Sequence, residues 1–523
     1  MSVPTSYPGV YITEIPSGSR TVVGVATSIT AFVGAASRGP ADVPVTISSF
    51  ADFERTFGGL WRYSSLGYAV RDFYQNGGGE ALILRLVHEA TTDETIEASA
   101  ATATLGVDGL MTLAAIGPGT WGNALQVEVS YPSDADATDV ALAQGVDKDA
   151  LFSLVVRDGE PDGGGLAETY FNVTLVDGPA RVTEVLATSR LVQVTGIAAE
   201  LPTPPRPAAG TRKFSDGTEG RDGGPLVESD YVPADTTKPG LNALLQADLF
   251  NLLCIPPPTL ETDVGTAVWT AAKKLCSDQR AFLIVDPPKV SDLTTVQSVV
   301  TDLAGADARN AAVYFPRILN SDPLRGGATS DFAACGAIAG VYARTDGSRG
   351  VWKAPAGVDA ALSGVVGLTS TLTDAENGQL NPKGINVLRT FRGAGSVVWG
   401  ARTLRGTDAL ADEYKYIPVR RLALFLEETL YRSTQWVVFE PNDAPLWAQI
   451  RASIGAFMQD LFRRGAFQGA TPREAFFVRC DADTTTPYDI GRGIVNILVG
   501  FAPLKPAEFV VISIQQQTAS ASA

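Results

Sequence analysis

The residues IPVRRLALFLEETLYRSTQWVVF (Ile417–Phe439), followed by EPNDAPLWAQIRASIGAFMQDLFRRG (Glu440–Gly465), decide how the C-terminal part of this chain folds. Val419, Leu422, Ala423, Leu426 and Leu430 recur at helical spacing, while Arg420, Arg421, Glu427, Glu428 and Arg432 fall mostly off that stripe. An amphipathic helix over 418–433 is therefore expected. Trp436–Phe439 is a continuous apolar run of buried-strand length. Asn442 or Asp443 then offers an N-cap, with Pro445 in the first turn of a second helix. That helix carries Trp447, Ile450, Ile454, Phe457, Met458 and Leu461 on one face and ends at Gly465 or Gly469. Strands are expected over 475–480, 494–501 and, beyond Pro503 and Pro506, 508–514.

Outward from this region, the N-terminal 20 residues read as an extended arm. Pro4, Pro8 and Pro16 forbid a helix, and Val10, Tyr11, Ile12 and Ile15 lie in a short β-prone run. Phe509, Val510, Val511, Ile512 and Ile514 form a matching run at the other end. Neither arm buries much alone, so each packs on its own body or adds to another subunit's sheet edge. Residues 21–36 read as one or two strands. Ser49 with Asp52 opens a helix over 50–57, a second helix spans 65–75, and 81–87 is a strand. This unit has no independent end and is expected to join the C-terminal domain.

From Thr91 the chain changes character, with short strands between Gly- and Asp-rich turns, a helix over 182–191, a Pro-rich linker over 201–210 and a mobile loop over 211–224. Residues 240–345 alternate helix and strand, the signature of an α/β layer on a largely parallel sheet. The expected organisation is an α/β chain: an arm (1–20), a two-layer core domain (21–90 with 346–505), a β-rich insertion (91–235), an α/β insertion (236–345), and a C-terminal arm and tail (506–523).

Composition narrows the function. The chain has 523 residues, 45% of them hydrophobic, and a net charge of −16 from 57 acidic and 41 basic side chains. That balance argues against nucleic acid or an anionic membrane as main partner. The N-terminal residues lack the basic segment of a signal peptide, and no apolar run approaches the ~18 residues that span a bilayer. Cys254, Cys276, Cys335 and Cys480 lack metal or redox spacing and read as buried, reduced thiols of a protein made in the cytosol. His88 is the only histidine and reads as a solvated strand-end residue. With no Gly-Lys dipeptide there is no phosphate loop, and Asp481–Arg492 departs from a calcium loop at Thr486 and Arg492. Neither cofactor nor metal is expected. Asp286, at a strand's carboxyl end, is where α/β enzymes keep catalytic groups, but no companion motif accompanies it.

The run Ile417–Asp481, with GRGIVNILVGFAPLKPAEFVVISI at 491–514, resembles the C-terminal domain of contractile tail sheath proteins of phage tails, tailocins and extracellular contractile injection systems. SYPGVYITEIPSGSRTVVGVATSITAFVGAASRGP (6–40) and ARTDGSRGVWKAPAG (343–357) are similar to the same family, while 91–325 matches loosely. The resemblance implies a structural, non-enzymatic homo-oligomer that stacks as hexameric rings around an inner tube and contracts to drive the tube through a target envelope. Baseplate and tail-terminator proteins are its further partners, and terminal arms join strands of neighbouring subunits. It also implies a tube-contacting helix, for which 444–464, with Arg451, Arg463 and Arg464, is the candidate. Two rivals remain: an α/β enzyme using Asp286 or Cys335, and a non-contractile capsid or tube scaffold. A type VI secretion sheath, divided between two polypeptides, fits less well, because both signatures share this chain.

Overall fold

The computed structural model describes residues 20–88, 100–101, 104–159, 165–234, 239–289 and 292–513. It separates into two compact units: Thr27–Ser348 with Pro355–Ile417, and a second comprising the N-terminal segment through Ala26, Arg349–Ala354 and Pro418 onward.

The first unit is built on an eight-stranded sheet. Its members are β1 (Thr30–Gly34), β2 (Pro44–Ile47), β3 (Ala81–Arg85), β4 (Leu252–Cys254), β5 (Phe282–Val285), β6 (Ala311–Phe315), β7 (Ile385–Phe391) and β8 (Gly395–Val398), in the spatial order β2-β3-β1-β4-β5-β6-β7-β8. The six inner strands pair in parallel, and only the edge strands β2 and β8 are antiparallel. TAFVG, FLIV and AAVYF are buried at every position, so these strands read as unbroken apolar runs rather than alternating ones.

Helices α1 (Phe50–Phe57), α2 (Leu66–Gln75), α3 (Thr266–Asp278), α4 (Leu293–Asp302) and α5 (Cys335–Arg349) accompany the sheet. Ser49 caps α1 as the sequence suggested, its Oγ accepting the Asp52 N–H at 3.1 Å. Gly336 and Gly340 let α5 lie directly on α2. A Cβ at these positions would sit 2.0 Å from the Ala69 carbonyl oxygen and 2.5 Å from that of Phe73.

Several expectations are corrected here. Of the 21–90 segment, only the residues through Ala26 join the C-terminal helices, and from Thr27 the chain enters the sheet unit, where β1 pairs in parallel with β4, Thr30 opposite Leu252. The 346–417 stretch contributes β7 and β8 to the same sheet. Within 240–345 the alternation is interrupted, because Ala328–Phe332 pairs with Ile318–Asp322 as a hairpin before α5 starts at Cys335.

The insertion holds its own core, with Leu113, Val127, Phe152, Leu154, Val192 and Phe214 buried between a three-stranded and a four-stranded sheet. It is entered and left through a two-stranded neck, Ala100–Ala101 against Arg221–Asp222, and also contains a helix at Asp134–Gln144 that the sequence reading missed. The 182–191 helix shrinks to Val182–Val185 with a 3-10 turn. The loop expected to be mobile, 211–224, is stitched down instead. Gly210–Lys213 adds to the four-stranded sheet, Phe214 is fully buried, and Asp222 accepts the Thr120 N–H at 2.8 Å.

The second unit packs α6 (Ile417–Ser433) and α7 (Ala444–Arg463) with the hairpin β9 (Phe476–Arg479) and β10 (Leu498–Phe501). Asp443 is the N-cap of α7, its carboxylate accepting the Leu446 N–H at 3.1 Å. Trp447, Ile450, Ile454, Phe457, Met458 and Leu461 all lie in the core, each worth about 1.5–3 kcal/mol of burial. Two details differ from the sequence reading. Arg420, Arg421 and Glu428, taken for a polar face, are buried; Arg420 reaches Glu427 at 3.1 Å, and Arg432 reaches Glu428 at 2.6 Å. Trp436–Phe439 is not a strand but a 3-10 turn (Gln435–Val437) followed by exposed Val438 and Phe439.

Candidate assembly surfaces

The C-terminal arm is the most conspicuous surface. Residues 504–513 adopt no regular structure and carry Phe509, Val510, Val511 and Ile512 at 75–88% exposure. Four consecutive apolar side chains left in water forgo several kcal/mol of burial. The expected strand over 508–514 therefore has no partner strand among the described residues, and Ile514 lies outside them. Val10, Tyr11, Ile12 and Ile15 also lie outside the described residues. Close to the arm in sequence, β9 and β10 form a sheet of only two strands. Its outward residues Phe477 and Leu498 are 45% and 50% exposed.

The helix α7 presents Ala448, Gln449, Ala452, Ala456, Asp460 and Arg463 to solvent. Of the three arginines proposed from the sequence, Arg463 and Arg464 are exposed, and Arg464 lies 3.9 Å from Asp460 with its guanidinium 5.4 Å from the Trp352 ring centroid. Arg451 does not belong with them. Its Nη1 donates to the Cys480 carbonyl, which holds it against the body. A helical wheel puts Arg451 and Arg464 on the flanks of the apolar stripe and Arg463 opposite it, but gives no sign of a carbonyl 29 residues downstream.

The residues weighed for chemistry make buried or partly buried contacts. Asp286 Oδ1 accepts the N–H groups of Ala334 and Cys335 at 2.9 and 3.1 Å, so the strand-end acid caps the N-terminus of α5. Burial raises the Asp286 pKa and pushes the Cys335 thiol well up, the opposite of what a thiolate nucleophile needs. His88 is not solvated as expected: its Nδ1 lies 3.0 Å from Asp230, which also accepts the Val227 N–H at the start of a short helix. Among the described residues there is no group of three His, Cys, Asp or Glu side chains that could hold a metal ion. No helix among them is long and apolar enough to cross a membrane.

Comparison with known proteins identifies the family. Residues 235–404 match the phage tail sheath protein central domain, and residues 411–517 match the phage tail sheath C-terminal domain. The two matches together span more than half of the chain, which belongs to the phage tail sheath family. The tail sheath protein of Enterobacteria phage T4 is 29% identical over 171 residues, 32% of this chain and 24% of that protein. The chain thus matches about a quarter of the length of its curated relatives.

Two solved structures share the fold across nearly the whole chain. One is the anti-feeding prophage helical sheath in its contracted state, with a TM-score of 0.58, 24% identity and coverage of 98% of this chain and 100% of that one. The other is the sheath complex of the PVC extracellular contractile injection system, also contracted, with a TM-score of 0.57, 22% identity and 99% coverage of both chains.

Proposed function

We propose that this chain is the repeating subunit of a contractile tail sheath, polymerising helically as stacked hexameric rings around an inner tube and contracting to drive that tube through a target envelope. The single observation that carries the reading is the C-terminal arm: four exposed apolar residues, no partner strand among the described residues, and a two-stranded sheet in the same unit with edges to spare. The arm of one subunit adds to the sheet of the next by main-chain hydrogen bonds, and the N-terminal run Val10–Ile15 does the same in a second neighbour. Such contacts are head-to-tail and need not close, which generates a helical tube. They also hold adjacent subunits together while the bodies rotate as rigid units.

In this reading Arg463 and Arg464, at the end of α7, face the inner tube, the insertion 91–235 lies on the outside, and baseplate and terminator proteins cap the ends. The subunit is assembled in the bacterial cytoplasm. Contraction draws on a metastable extended lattice rather than on a bound nucleotide. The buried contacts of Asp286 and Cys335 favour this structural role over an enzymatic one.

Negative-stain microscopy of the purified chain tests the reading. Long, hollow, striated tubes support it; a monodisperse closed oligomer under all assembly conditions contradicts it.

A further inference from the structure

Phe439 is fully exposed, and its backbone sits at φ +70°. A bulky aromatic residue in the left-handed region is an outlier that costs about 1–2 kcal/mol. The loop that holds it is not slack. Val438 and Glu440 donate to the carbonyls of Gln435 and Val437 at 3.2 and 3.1 Å. Downstream, Asn442 Nδ2 donates to the Ile494 carbonyl at 2.9 Å, and its Oδ1 accepts Trp447 Nε1–H at 2.8 Å. A pinned, strained loop thus displays Phe439, with Val438 beside it at 63% exposure. The strain persists because the surrounding bonds hold it, the usual mark of a functional contact.

The path of the chain indicates what covers this corner. The Arg20 guanidinium lies 4.9 Å from the Trp436 ring centroid, and the Val25 N–H donates to Thr429 Oγ1 at 3.3 Å. Residues 20–25 therefore run along the C-terminal half of α6 in the opposite sense to it. Arg20, the first described residue, thus lies beside Trp436, two residues before Val438. Ile15 is five residues above Arg20, an extended reach of about 17 Å. Val438 is two residues beyond Trp436, at most about 7 Å away. The chain length between Arg20 and the apolar residues Val10, Tyr11, Ile12 and Ile15 is therefore enough to span the distance to this corner.

We propose that, in the free subunit, residues Val10–Ile15 dock in cis on Val438 and Phe439. Docking within one chain acts at an effective concentration in the millimolar range, so it wins in dilute solution. In a growing lattice a neighbour's sheet offers the same residues backbone hydrogen bonds that the loop does not, and the arm transfers. The corner then acts as a brake on premature nucleation. The transfer step rests on the sheath reading above; the cis docking does not.

Hydrogen exchange on the dilute intact chain tests the docking without requiring tubes. The amides of residues 10–15 should exchange at least roughly tenfold slower than in a free peptide of residues 1–19. Phe439→Gly is the informative variant, because it removes the ring while relieving the left-handed strain, so the fold is kept or stabilised. It should release the protection completely without lowering Tm, and it should shorten the lag before tubes appear. Peptide-like exchange in the unmutated chain, or protection that survives F439G, overturns the docking. Protection appearing instead at residues 508–512 and released by F439G overturns it in favour of the C-terminal arm. An unchanged lag in a variant whose arm has been released overturns the brake.

Discussion

The guanidinium of Arg451 is held by the main-chain carbonyl of Cys480, so a residue that looks like part of a basic stripe is a tie between α7 and the end of β9. Arg451→Met keeps much of the aliphatic stem and removes the donor. It should lower the stability of the free subunit by about 1–3 kcal/mol, read by chemical denaturation. Reversing both Arg463 and Arg464 to Glu should leave the denaturation midpoint nearly unchanged, because both are exposed.

The same pair separates folding from docking. In assembly reactions with the inner tube protein, R463E/R464E should reduce the yield of tube-filled sheath, with the larger deficit at low salt where exposed charges are least screened. Equal yields at low salt would remove this end of α7 from the tube interface.

Asp72 predicts a pH dependence of stability. Its Oδ1 accepts from Arg71 Nε at 3.1 Å and its Oδ2 from Asn320 at 3.1 Å, yet burial outweighs these partners and its pKa is pushed up to about 6. A carboxyl whose pKa is raised on folding binds its proton more tightly in the folded state. Its contribution is therefore fully present below the ordinary value of 3.8 and is lost as pH rises through about 6. Asp72→Asn should remove that part of the slope. The difference in unfolding free energy between D72N and the unmutated chain should shift in favour of D72N between pH 4 and pH 7. Parallel profiles across that range would show that Asp72 does not titrate there.

The insertion should behave as a separable module. Thr104 and Thr218 exchange N–H···O bonds at 3.0 and 2.9 Å, so excising 105–217 and closing the ends with Asn-Gly leaves a short hairpin. The eight-stranded sheet should remain folded. Arg85 donates to the Pro118 carbonyl at 2.6 Å and to Ala36 at 2.9 Å, so losing the first partner should lower Tm by a few degrees. Complete unfolding of this deletion would mean that the insertion is an integral part of the sheet domain.

Much of the second unit was legible from local chemistry. The cap at Asp443, the stripe from Trp447 to Leu461 and the helix limits are set by residues within a few positions of one another. What failed was long-range. Nothing in residues 21–90 says which sheet they enter, because a buried parallel strand such as TAFVG fits any parallel neighbour. The run Trp436–Phe439 has strand length and composition, and four residues carry too little periodicity to reveal a turn. Polar 211–224 read as loose because its one buried apolar anchor, Phe214, is a single side chain among charges, and its other ties are long-range hydrogen bonds. The charged positions on α6 read as solvent-facing, since helical spacing cannot distinguish an exposed arginine from one buried against Glu427. Among the candidate residues, the C-terminal run was proposed from its β-prone composition, whereas Phe439 was assigned to a buried strand and its exposure and φ emerged only from the structure.

The central claim is that the arms bind in trans, and the most direct measurement compares the intact chain with one ending at Lys505 by circular dichroism melting and negative-stain microscopy together. The account predicts that the truncated subunit melts cooperatively near the intact Tm, because residues 506–512 are mostly exposed, but forms no tubes. Each arm loses roughly five intersubunit backbone hydrogen bonds of about 0.5–1.5 kcal/mol. Deleting residues 1–17 should have the same pair of effects. Normal striated tubes from both truncated chains would contradict the account, since the arms would then pack on their own subunit or contribute nothing to the lattice.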